Sequence, residues 1–85
     1  MEVFFFTRND CGVCKAMYPI WNECVTAVTK HDYNIVDCDV NLDMAQSLSV
    51  STLPTFVILN EDGHEVSRKS GFIKQSDFEA WLTSI

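Results

Sequence analysis

Three observations place this chain in the α/β class, as a four-stranded mixed sheet with helices on both faces and the element order β-α-β-α-β-β-α. The run Val3-Phe4-Phe5-Phe6 is apolar on both of its faces, as a strand is when helices cover the sheet on either side. Between this run and a second one, Phe56-Val57-Ile58-Leu59, apolar residues recur at helical spacing. Behind the second run, Asn60-Glu61-Asp62-Gly63 supplies turn residues and the chain returns as a polar strand, which is the pattern of a hairpin.

Each element follows from its residues. Glu2 to Thr7 is the first strand, with Val3 and Phe5 on one side and Phe4 and Phe6 on the other. From about residue 11 to residue 30, Met17, Trp21, Cys24 and Val28 recur at spacings of four, three and four, with Tyr18 and Val25 beside them, so one stripe of a long helix is buried. Residues 34–40 read as the second strand, carrying Ile35, Val36, Cys38 and Val40, and residues 43–48 as a short helix capped by Asn41 or Asp43. Residues 56–59 form the third strand, and Glu65 to Ser70 a fourth that is polar enough to lie at an edge. Ser76 opens the last helix with Glu79 in capping-box spacing, and Phe78, Trp81, Leu82 and Ile85 form its apolar stripe. A right-handed crossover joins the first two strands, and no internal repeat is visible.

A chain of 85 residues supports one modest core, so residues 1–85 are expected to be one domain. With 47% hydrophobic and 21% charged residues it has the composition of a folded protein, not of a disordered one. The amino-terminal apolar run is four residues long, has no basic region before it and leads into Thr7-Arg8-Asn9-Asp10. It is neither a signal peptide nor a membrane span, and a cytoplasmic protein is expected. A net charge of −6 with scattered Lys and Arg argues against nucleic acid or membrane partners. Nothing demands more than a monomer. Four cysteines without an export signal point to catalytic or metal-binding chemistry.

The feature that carries chemistry is Asp10-Cys11-Gly12-Val13-Cys14-Lys15, at the junction of the first strand and the first helix. Two thiols at this spacing can close a small disulfide. A Cys at the helix start sits over unpaired amide groups and the positive end of the helix dipole, which favours thiolate. Cys11 is therefore the exposed nucleophile and Cys14, one turn on and more buried, the resolving thiol that releases a mixed disulfide. Lys15 adds a positive charge nearby and Asp10 an opposing negative one. Gly12 keeps the loop open to a partner backbone, and Val13 offers it an apolar contact.

The alternative for these thiols is half of a zinc site, completed by Cys24 and Cys38. Those two residues lie in a helical stripe and a strand and do not make a second ligand knuckle, so they read as small buried hydrophobes and no metal is expected. Trp21 and Trp81 fall on apolar stripes and read as core. His31, at a helix end, and His64, in a turn, are expected to face solvent. Asp37, Asp39 and Asp43 read as a strand end and a helix cap, without chemistry.

Taken together these residues resemble the thioredoxin superfamily over nearly the whole chain. Cys11-Gly12-Val13-Cys14-Lys15 is similar to the family's active-site segment, Pro19 to its helix-kinking proline, Val50-Ser51-Thr52-Leu53-Pro54-Thr55 to the loop before its cis-proline, and Gly63-His64-Glu65-Val66 followed by Gly71 to its final hairpin. The resemblance implies a thioredoxin fold. It also implies a Leu53–Pro54 cis bond facing Cys11, and a substrate segment paired with the Thr52–Leu53 backbone among Gly12, Val13, Thr52, Leu53, Pro54 and Gly71. The activity implied is thiol–disulfide exchange on disulfide-containing proteins, with no bound cofactor and with electrons from a thioredoxin reductase or from glutathione.

Departures from the family pattern shape this reading. Asp10 and Val13 stand where thioredoxins usually have Trp and Pro, and Phe5 stands where they bury an Asp that aids proton transfer at the second Cys, leaving that proton to water. The chain starts at the strand before Cys-x-x-Cys, a glutaredoxin-like length, yet it lacks Cys-Pro-Tyr-Cys and offers only Gly71 and Asp77 where glutaredoxins hold glutathione with a Gly-Gly segment and an Asp. A small thioredoxin-like disulfide reductase is expected. A glutathione-dependent glutaredoxin is the alternative, and a binding module on a thioredoxin scaffold, with redox activity incidental, is the second.

Overall fold

In the computed structural model, which describes residues 1–85, the elements follow the expected order: β1 (Glu2–Thr7), α1 (Gly12–Ala27), β2 (Asp32–Asp37), α2 (Leu42–Ser47), β3 (Thr55–Leu59), β4 (Glu65–Ser70) and α3 (Gln75–Ser84). The sheet runs β2-β1-β3-β4. β1 is parallel to β2 and antiparallel to β3, and β3 is antiparallel to β4, so the sheet is mixed and the polar strand lies at an edge.

The alternation in β1 divides the interior into two cores. Val3 and Phe5 join Phe56 and Ile58 of β3 against Met17, Trp21 and Cys24 of α1 and Phe78, Trp81 and Leu82 of α3. Phe4 and Phe6 face the other way and pack with Val36, Val57, Cys38 and Ala45 of α2. Each Val, Leu, Ile, Phe or Met among them contributes about 1.5–3 kcal/mol by leaving water. A one-residue slip of β1 would therefore exchange both cores at once.

Boundaries differ from expectation at five of the seven elements: β3 opens one residue early, at Thr55 opposite Phe6, and the other four differ for local reasons. α1 ends at Ala27, because Val28 turns extended and donates its N–H to the Cys24 carbonyl. β2 spans Asp32–Asp37 because its ladder lasts only as long as β1, ending at Thr7 opposite Asp37. The Cys38 N–H still donates to the Thr7 carbonyl, but Val40 and Asn41 turn back onto the Asp37 carbonyl, which leaves Val40 exposed along with the edge residue Ile35. Asn41 is the cap of α2, its side chain accepting the Met44 N–H, and Asp43 lies in the first turn. α3 begins at Gln75 with Lys74 as its cap and no side-chain bond, because the Phe78 N–H already reaches the Lys74 carbonyl. Ser76 is thus inside the helix and forms no capping box with Glu79.

His31 is a further correction. It is buried, and its Nε2 lies 2.8 Å from the Leu82 carbonyl oxygen, while Lys30 Nζ donates to the Thr83 carbonyl at 2.7 Å. The segment after α1 passes beneath the end of α3 and supplies partners for its last carbonyls, which the helix itself cannot satisfy. His64 is exposed, as expected of a turn residue.

Candidate active site

The register of the sheet gathers the site at one end. Phe6 of β1 pairs with Thr55 of β3, so the loop leaving β1 toward Cys11 and the loop entering β3 through Pro54 lie side by side. α1 begins on this same edge, at Gly12.

Cys11 and Cys14 are joined as a disulfide, with Cα atoms 5.2 Å apart. Cys11 is the N-cap of α1, in extended backbone, and its Sγ accepts the Cys14 N–H at 3.2 Å. The Lys15 N–H donates to the Cys11 carbonyl at 3.2 Å, so the helix starts on the sulfur-bearing residue. No acidic residue lies in the first turn. A sulfur in this place faces the amide ends that stabilise an anion. Cys14 is wholly buried and Cys11 is partly open.

Arg8 manages the charge that Asp10 brings. Its guanidinium lies 3.8 Å from Asp10 and 2.9 Å from Asp39, and the hydrogen bond and charge of Asp39, with Asp10 behind them, hold it more firmly protonated than an ordinary arginine. Next to the pair, Tyr18 donates its hydroxyl to the buried Thr7 at 3.4 Å.

The Leu53–Pro54 bond is cis. The loop around it is tied down twice: Thr55 Oγ1 donates to the Thr52 carbonyl at 2.6 Å, and the Gly71 N–H donates to the Pro54 carbonyl at 2.8 Å. Gly71 has φ +82°, a left-handed conformation that favours glycine. The six residues expected to meet a substrate are therefore distributed over the first turn of α1 and two neighbouring loops. Gly12, Val13 and Thr52 are exposed, Leu53 and Gly71 are half-buried, and Pro54 is buried.

Cys24 and Cys38 belong to opposite cores, and burial pushes both thiols up. The sheet separates them, so they cannot complete one zinc site with Cys11 and Cys14. Sequence reasoning missed Phe72, which follows Gly71 and is 56% exposed. Its signal was an aromatic residue stranded between the edge strand and the cap of α3, outside either stripe. It also missed a cleft of about 430 Å³ on the α2 side, lined by Arg8, Cys38, Asp39, Leu42, Val50 and Leu53 among others.

This architecture, with a cysteine pair at the head of its first helix and a cis-proline loop beside it, defines a thioredoxin-fold protein of the redox-disulfide class. The thioredoxin family model matches residues 2–84, and the chain belongs to the thioredoxin family. It is 32% identical over 79 residues to a thioredoxin of Mycoplasmoides gallisepticum, covering 91% of this chain and 76% of that protein. It is 36% identical over 71 residues to thioredoxin H2-1 of Oryza sativa subsp. japonica, covering 84% of this chain and 51% of that one. With the TPR repeat-containing thioredoxin TDX of Arabidopsis thaliana it shares 34% over 74 residues, covering 87% of this chain but 19% of that protein. The chain thus spans widely different shares of these relatives, in two of them little more than half or less. Among solved structures, oxidised mitochondrial thioredoxin 3 of Saccharomyces cerevisiae superposes with a TM-score of 0.87 at 26% identity, over 99% of this chain and 77% of that one. Thioredoxin-2, described as a component of malaria parasite protein secretion machinery, superposes at 0.90 over 99% of this chain and 82% of that one. At 24% identity the latter speaks to the fold alone.

Proposed function

We propose that residues 1–85 are one thioredoxin-like domain that reduces disulfides in partner proteins through Cys11 and Cys14. The observation that carries this reading is the disulfide at the head of α1, with its outer sulfur accepting a helix amide and its inner sulfur buried. In the reduced protein the Cys11 thiolate attacks one sulfur of the substrate disulfide. A Cys11–substrate bond forms, the substrate S–S bond breaks, and the departing thiolate takes up a proton. The Cys14 thiol then loses its proton to water, attacks Cys11 Sγ and expels the second substrate thiolate. Two electrons and two protons pass to the substrate, and the Cys11–Cys14 disulfide is left.

Gly12, Val13, Thr52, Leu53, Pro54 and Gly71 form the substrate contacts in this reading, with the Thr52–Leu53 backbone open to an extended segment. A thioredoxin reductase or glutathione returns the electrons. The match to the thioredoxin model along almost the entire chain favours the reductase. The protein works as a cytoplasmic monomer without a bound cofactor; no helix is long and apolar enough to cross a membrane.

Cys11→Ser is expected to abolish turnover, and Cys14→Ser to trap a covalent adduct visible on a nonreducing gel. Retained activity in the first variant, or no adduct with any disulfide protein in the second, would overturn the assignment. Supplying reductase or glutathione alone identifies the donor. A reduction potential near about −270 mV fits the thioredoxin type, and one of about −200 to −230 mV the glutaredoxin alternative.

A further inference from the structure

A groove of about 690 Å³ opens between the end of β4 and the head of α3, with Lys69, Phe72, Lys74, Asp77, Ala80 and Trp81 in its lining. Its walls follow from the edge strand. Lys69 pairs in register with Phe56 and so stands on the α3 side of the sheet, its ammonium 5.8 Å from the centre of the Trp81 ring. Trp81 is fixed in turn by its Nε1–H, which donates to Ser67 Oγ at 2.9 Å. The left-handed turn at Gly71 then carries the chain off the sheet and leaves Phe72 in the open.

The groove differs from the rest of the surface in charge. Its lining sets the two cations Lys69 and Lys74 against a single carboxylate, although the protein as a whole carries −6. Arg68 is engaged by Glu65, whereas no carboxylate lies within salt-bridge distance of Lys69 or Lys74. Asp77 is the only acid in the lining. The segment that forms the groove is tied to the cis-proline loop and to α1. Gly71 is bonded to Pro54, and the Ile73 N–H donates to Met17 Sδ at 3.4 Å, one helical turn beyond Cys14.

We propose that this groove receives an acidic segment of the disulfide-bearing partner, next to the cysteine under attack, with Lys69 and Lys74 binding its carboxylates and Phe72 one of its apolar side chains. The inference rests on the disulfide-reducing role of Cys11 and Cys14 and names the chemistry of the substrate that role serves. Long-range attraction runs the other way, because a protein of charge −6 draws basic peptides toward it. A preference for an acidic flank therefore reports local contacts and not net charge.

The test uses the whole reduced chain and three disulfide peptides that differ only in four flanking residues, all Glu, all Gln or all Lys, with initial rates read from released peptide thiol. At low salt the Glu peptide is expected to react about three- to tenfold faster than the Gln peptide, the effect of a few partly exposed ion pairs. The advantage should fade near 1 M salt, where screening acts within about 3 Å, and the Lys69→Gln/Lys74→Gln variant should bring the Glu-to-Gln ratio to about one. Equal rates for Glu and Gln peptides, a fastest Lys peptide, or a ratio unchanged in the double variant would each overturn the groove while leaving disulfide reduction intact. No turnover of any peptide would remove the underlying reading as well. A concentration-dependent dimer in sedimentation, dissolved by Phe72→Ala, would assign the groove to a second copy of the chain and overturn the proposal.

Discussion

Replacing Phe5 with Asp restores the carboxylate that thioredoxins bury six residues before the first cysteine, and this chain is expected to reject it. Phe5 is wholly buried, with ring centroids of Phe56, Tyr18 and Trp21 at 4.8, 5.2 and 5.3 Å. Truncating such an aromatic costs about 3–5 kcal/mol through lost transfer and the cavity left behind. A carboxyl group without a partner adds about 1–3 kcal/mol; the nearby Tyr18 and Thr7 hydroxyls are already bonded to each other. The sum, about 4–8 kcal/mol, competes with a total stability of about 4–13 kcal/mol for a domain of this length. Burial raises the carboxyl's folded pKa above its unfolded value of about 3.9. The acid form is then the tolerated one, and the penalty grows as pH rises from 4 to 7. Urea unfolding of the reduced protein, followed by tryptophan fluorescence at both pH values, measures this, with Phe5→Leu as the apolar control at about 1.5 kcal/mol. A Phe5→Asp protein within about 1 kcal/mol of the parent at pH 7 would refute the argument, since position 5 would then have water or a polar partner in reach.

Two further outcomes test the chemistry of the remaining groups. With the reduced, folded protein at pH 7, iodoacetamide should modify Cys11 far faster than Cys24 or Cys38, whose burial keeps them as thiols. Equal labelling of all four cysteines without denaturant, read by mass spectrometry, would contradict the placement. Glu65 is held below the usual carboxylate range by its hydrogen bonds from Arg68. Its contribution is present above the unfolded pKa of about 4.3 and disappears as pH falls through the lower folded value. Because the pair is about one-third exposed, Glu65→Gln should cost no more than about 1 kcal/mol at pH 7, a cost that shrinks as the pH falls below the unfolded pKa; a cost that grows on acidification would mean the carboxylate is not its source.

Legibility in the sequence follows how local each signal is. β1 could be assigned because two-sided hydrophobicity at period two has few competing explanations, and both cores indeed divide along Val3–Phe5 and Phe4–Phe6. The cysteine pair was legible because its spacing, its place after a strand and its apolar helix all lie within a short segment. The apolar alternation through Val40 predicts a longer β2, whereas its real end is imposed by Thr7 on the neighbouring strand. His31 was misplaced for the same reason: its partner is the Leu82 carbonyl, 51 residues away. Ser76 and Glu79 match a capping box in spacing, but the Lys74 carbonyl closes the turn first. Each error concerns a position decided by a distant or backbone partner that a local pattern does not encode.

Charged groups outside the Cys-x-x-Cys segment give the two sides of the cis-proline loop different chemistry. On the α2 side, Arg8 is occupied by Asp10 and Asp39, so the rim of that cleft presents carboxylates, with 82% of the Asp10 side chain in solvent. On the α3 side, Phe72 and the unpaired Lys69 and Lys74 present apolar surface and positive charge. The sheet keeps these two surfaces apart, and the cis-proline loop lies between them, touching the first through Leu53 and the second through the Gly71–Pro54 bond. An extended substrate paired with that loop can run in only one of two directions, and like charges opposed on the α2 side disfavour one of them for any partner with an acidic flank. In the proposed complex, an ion cluster and two lysines outside the Cys-x-x-Cys segment thus bias how the partner lies across the cis-proline loop, while the exchange itself is left to the cysteine pair at the head of α1.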